Sequence, residues 1–101
     1  MSRHDFSMLF AQYPAVIAEM PDIFTSHDFI LRLAQQNQSG YVEALYSYRE
    51  DCNPFQVVHG VLSQRLHACD TLVEHLGNTP SRDIFGQQNG CGHWRKKPPQ
   101  G

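Results

Sequence analysis

The chain has little of what marks the easily read protein classes. It carries only three cysteines, Cys52, Cys69 and Cys91. An odd, widely spaced set argues against a disulfide framework and for reduced thiols in a cytoplasm. No apolar run approaches the roughly 20 residues that cross a bilayer. The opening MSRHDFSMLFAQYP lacks the basic start and unbroken apolar stretch of a secretory leader. No lipidation motif is present. There is no excess of positive charge: eight Lys and Arg stand against ten Asp and Glu, for a net of -2. That excludes a protein that coats nucleic acid by charge alone. No alternating run of β-branched residues is long enough to read as a strand. Low-complexity tracts and internal repeats are absent too.

What is present is the raw material of one small core. The chain has 101 residues, 41% of them hydrophobic, including six Phe, four Tyr and one Trp. A chain of this length forms one core rather than two and keeps a thin margin of stability. Pairing with a second copy is one way such a chain gains buried area.

Apolar residues recur at helical steps of three and four. Phe6, Leu9, Phe10, Tyr13, Val16, Ile17 and Met20 form a first series, broken by Pro14. Proline opens a helix well and continues one badly, so the spacing predicts a kink or two short helices, with Pro21 as the stop. Thr25 or Ser26 offers an N-cap, with Asp28 in the first turn and Phe29, Ile30, Leu33 and Ala34 as the buried stripe. Gly40 reads as a break before a helix carrying Tyr41, Val42, Leu45 and Tyr48. Asn53 and Pro54 open the strongest pattern, Phe55, Val58, Val61, Leu62, Leu66 and Cys69. Gly60 inside it costs about 1 kcal/mol relative to alanine, which suggests close approach of a crossing helix. A short helix over 71–76, capped by Asp70, completes the series with Leu72, Val73 and Leu76 facing inward. Ser81 caps one further turn in which Ile84 and Phe85 anchor on the body. Gly86, Gly90, Gly92, Pro98 and Pro99 then read as irregular chain.

The expected fold is therefore all-α: a compact bundle of four to five short helices over 1–80, with an irregular C-terminal tail over 81–101. The tail is weakly basic. Residues 82–101 hold four basic residues and one acidic residue, whereas 1–81 hold four basic and nine acidic.

Four kinds of chemistry bear on the candidate residues. Cys91 and His93 form one close pair of metal ligands, but structural zinc takes four, usually as two pairs. The same cysteine beside Arg95, Lys96 and Lys97 invites a nucleophile, yet no orienting third residue accompanies it. No recognised catalytic motif is present, so neither an enzyme nor a cofactor is expected. Residues 72–97 superficially resemble a helix-turn-helix with a basic tail for phosphates, which makes a small DNA-binding regulator the alternative function. Trp94 beside Arg95, Lys96 and Lys97 has the composition of an interface hot spot. It also suits an anchor that folds back to pin the tail. Tyr41, Tyr46 and Tyr48 put aromatic residues on two faces of one helix, which leaves Tyr46 for solvent or another chain. The resulting expectation is a non-catalytic interaction or regulatory module, homo-oligomeric or with a protein partner, contacting it through Tyr46, Trp94, Arg95, Lys96 and Lys97.

Overall fold

A computed structural model describes residues 6–97. The expectation for Pro98 and Pro99, and the first five residues of the leader reading, lie outside that range. Five helices come first: α1 (Ser7–Ala11), α2 (Tyr13–Glu19), α3 (Ser26–Gln36), α4 (Gln38–Ser47) and α5 (Pro54–Leu66). Between α2 and α3 runs β1 (Ile23–Thr25), and after α5 come β2 (Val73–Arg82) and β3 (Gln88–Lys96). The three strands form an antiparallel sheet in the order β1-β3-β2.

The all-α bundle is thus corrected to a mixed α/β fold. The helical half follows its punctuation. Pro14 sits in the first turn of α2, and Thr25 Oγ1 accepts the Asp28 amide at 3.2 Å. Pro54 opens α5, although the Asn53 side chain makes no cap bond. Gly40 lies inside α4 instead of breaking the chain ahead of it.

The C-terminal third departs from the expectation. The segment read as a helix over 71–76 becomes the start of β2, and the irregular tail becomes the middle strand. β2 runs across the expected boundary at 80/81. The physical reason is pairing: the turn after Arg82 folds β3 back onto β2, and each strand satisfies the other's backbone groups. Asp83 fixes that turn. Its Oδ1 accepts the amides of Phe85 at 2.9 Å and Gln87 at 3.0 Å, and Gly86 supplies a φ of +83°. A bulge between His75 and Gly77 leaves Leu76 out of the ladder and 37% exposed, so it is not core.

The core joins both halves. Tyr13, Val16, Phe29, Ile30, Leu33, Val58, Leu62 and Leu66 are buried with Phe24 of β1, Val73 of β2 and Trp94 of β3. The Tyr13 hydroxyl donates to the Leu62 carbonyl and ties α2 to α5. Val42 and Phe55, both expected inside, are 59% and 43% exposed. On α4 it is Ala44 that faces the core. Among the described residues no helix is long and apolar enough to cross a membrane.

Candidate functional site

The sheet order sets the site. β1 pairs with residues 93–95 of β3 and leads directly into α3. The first residues of α3, Ser26 and His27, are thereby brought beside β3. The Trp94 indole N–H donates to Ser26 Oγ at 2.8 Å, a buried bond between residues 68 apart. Gly92 makes room for it: a Cβ there would lie 2.7 Å from Trp94 Nε1 and 2.9 Å from Ser26 Oγ. The rings of His67 and His75 pack on the indole, with centroids 4.9 and 4.6 Å away.

On the side of α3 where Ser26 and His27 lie, α5 and the β2–β3 turn enclose a cleft of about 540 Å³. That is within the usual range of ligand pockets. Its walls are Phe55, Gln56, His59, Gly60 and Ser63 of α5, Asp83, Phe85 and Gln87 of the turn, and Cys91 of β3. Cys52 stands at the approach to α5. Gly60 has open space where a Cβ would be, so no crossing helix explains it; it lines the cleft.

The cleft is aromatic at its mouth and polar at its base. Phe55 and Phe85 meet edge to face at 4.6 Å, and both stay substantially exposed. His59 lies nearly parallel to Phe85, at 13°, and shares a 2.5 Å hydrogen bond with the Tyr41 hydroxyl. Burial lowers the His59 pKa; the nearby Asp83 carboxylate works against this and His27 works with it. Burial alone pushes the Tyr41 hydroxyl up to about 12. This corner of the cleft is therefore uncharged at neutral pH. His27 Nδ1 is buried and has no hydrogen-bond partner. Such a group carries an uncompensated desolvation cost unless something binds it.

The residues singled out from sequence are scattered. Trp94 is 2% exposed and lies in the core. Arg95 pairs with Glu74 at 3.7 Å. Lys96 Nζ donates to the carbonyls of Ala18 and Met20, and Lys97 Nζ donates to that of Asp70. These ammonium groups hold β3 to the body. Tyr46 is 63% exposed, with the Arg49 guanidinium over its ring. Cys91 lines the cleft, and His93 is two residues further along the same strand, with no hydrogen bond joining the two. No group of three or more His, Cys, Asp or Glu able to hold a metal ion occurs among the described residues.

Sequence reasoning missed His27, His59, Asp83 and the Phe55–Phe85 pair as one set. The spacing of Phe55 and His59 puts them on one face of α5, a readable signal. The approach of Asp83 and Phe85 to that face depends on the hairpin, which had no local signature.

Comparison with protein-family models, with curated proteins and with solved structures finds no match for this chain.

Proposed function

We propose that the protein is a non-catalytic interaction or regulatory module of the cytoplasm that binds a partner in the cleft between α5 and the β2–β3 turn. The observation that carries this reading is the exposed Phe55–Phe85 pair at the mouth of a polar cleft. Aromatic residues left in water beside a concavity are the usual anchors of recognition. The unpartnered His27 nitrogen supports the same view, since a bound group would satisfy it. The cytoplasmic setting is supported by the three unpaired cysteines. Peptides selected from a random display library on the wild-type protein test the proposal. Selected peptides are expected to lose most of their affinity for Phe85→Ser. Equal binding to both proteins, or no enrichment, overturns it.

Self-association belongs to the same reading and is supported by Val42 and Tyr46, one helical turn apart on α4 and both largely exposed. Sedimentation at rising concentration decides this part. A strict monomer at the highest soluble concentration removes it.

One observation favours the second reading, a DNA-binding regulator using residues 72–97. The β2–β3 hairpin stands across the cleft from α5, and a helix and a two-stranded ribbon are the elements that enter a major groove. The charges oppose it, because Lys96 and Lys97 are engaged with the body's own carbonyls. Anisotropy of a labelled mixed-sequence duplex at low salt separates the readings. Binding that weakens with salt and with Arg82→Glu favours DNA, and no binding dismisses it.

A further inference from the structure

The charges in the cleft are one-sided. Its described lining residues include one carboxylate, Asp83, and neither Lys nor Arg. Oδ1 of Asp83 is held by two backbone amides, which fix the carboxylate in place; among the described residues no hydrogen bond engages Oδ2. Two aromatic rings stand at the mouth, Phe55 and Phe85. The second acceptor without a partner is the Nδ1 of His27, a buried atom of a residue that lines the cleft. In the neutral imidazole with its proton on Nε2, this nitrogen accepts a hydrogen bond.

We propose that the cleft receives a guanidinium group, stacked flat on the Phe85 ring beside Phe55, with its N–H donors directed at Asp83 Oδ2 and His27 Nδ1. This rests on the reading of the cleft as the binding face. Aromatic faces attract cations, and a carboxylate supplies the counter-charge. A phosphate or carboxylate ligand would face Asp83 with no cationic side chain to offset it. Guanidinium fits better than ammonium for a geometric reason. It is planar, so it lies flat on a ring while its in-plane N–H groups reach two separate acceptors. It is also the more weakly hydrated cation and loses less on leaving water. Burial that keeps His59 uncharged removes a repulsion that would otherwise oppose the ligand.

The guanidinium has two sources, an arginine side chain of a partner polypeptide or a free guanidino compound. Four probes separate them: capped Ala-Arg-Ala, agmatine, and the ureido counterpart of each, capped Ala-citrulline-Ala and N-carbamoylputrescine, in which a neutral and nearly isosteric ureido group replaces the guanidinium and any other charge is kept. Binding is followed by nuclear magnetic resonance of the Phe85 and Gln87 amides and the His27 and His59 rings. The expected result is saturable shifts with a guanidinium probe and about tenfold or more weaker binding of its ureido counterpart. Stronger binding of the peptide assigns the source as a polypeptide; stronger binding of agmatine assigns it as a small molecule. Asp83→Asn keeps an oxygen for the two turn amides and is expected to weaken guanidinium binding about tenfold without changing the melting temperature. Phe85→Leu keeps an apolar side chain, removes the ring face and is expected to weaken it severalfold.

Ureido probes that bind as tightly as guanidinium probes overturn the proposal while leaving the cleft as a binding face. So does an unchanged affinity in Asp83→Asn. Shifts by inorganic phosphate at the same signals with none by the guanidinium probes also overturn it. Loss of the peptide-selection result, with the guanidinium probes still binding, instead removes the partner-module reading.

Discussion

Replacing Gly92 by alanine should damage the protein far more than a surface change on a strand normally does. The added methyl would sit 2.7 Å from Trp94 Nε1, 3.1 Å from Trp94 Cε2 and 2.9 Å from Ser26 Oγ. All three atoms belong to a pair of side chains that are 2% exposed or less, so neither can swing into solvent. Forcing an extra carbon into packed surroundings costs about 1–3 kcal/mol. Parting the indole N–H from its buried acceptor costs about 1–3 kcal/mol more. A loss of about 2–6 kcal/mol is therefore expected, a large share of the roughly 5–15 kcal/mol that holds a domain folded. For a chain of this length it corresponds to a fall of roughly 10–30 °C in Tm. Urea unfolding followed by Trp94 fluorescence measures it, since this is the only tryptophan. A second variant sharpens the test. Ser26→Ala removes one of the atoms the methyl would strike, so the double variant should lose less than the two single losses combined. A Gly92→Ala protein within about 0.5 kcal/mol of wild type would refute the packing described for β3 against α3.

Further outcomes follow from other buried groups. Tyr13→Phe removes the hydroxyl that donates to the Leu62 carbonyl and should cost about 1–2 kcal/mol in chemical denaturation. On the alkaline side, the Tyr41 pKa is raised from 10.0 to about 12 by burial. The unfolded chain then gives up this proton before the native one does. Its contribution to stability is complete below pH 10 and is lost between there and about pH 12, a slope that Tyr41→Phe should reduce. On the acid side the sign for His59 is opposite in pH. Burial depresses its pKa, so below the ordinary value of 6.5 the unfolded chain takes up a proton the native chain refuses, and stability falls. Unfolding measured across that range should show a shallower acid slope in His59→Gln.

The helical half was legible because its signals are local. Pro14, Thr25 and Pro54 punctuate helices through their own backbone and side-chain chemistry, and the stripe Phe29, Ile30, Leu33 and Ala34 is buried as its spacing requires. The sheet was not legible because its cause lies between segments. β2 reads VEHLGNTPSR and contains Gly, Asn and Pro, all poor strand formers. It is a strand because β3 folds back on it through the Asp83 turn. The glycines that suggested irregular chain have separate tasks, a turn at Gly86 and close packing at Gly92. The site suffered from the same gap. His59 and Phe55 were visible on one helix, but their partners Asp83 and Phe85 arrive only with the hairpin. Lys96 and Lys97, whose charge suits a protein partner or phosphates, instead clasp the carbonyls of Ala18, Met20 and Asp70.

The C-terminal segment is the middle strand of the sheet and so builds one wall of the cleft. Amide hydrogen exchange of residues 93–95 tests it most directly, because these residues lie between β1 and β2. Slow exchange, comparable to that of the buried turns of α3, is the expected result. Exchange at the rate of an unstructured chain would contradict the sheet, and with it the cleft.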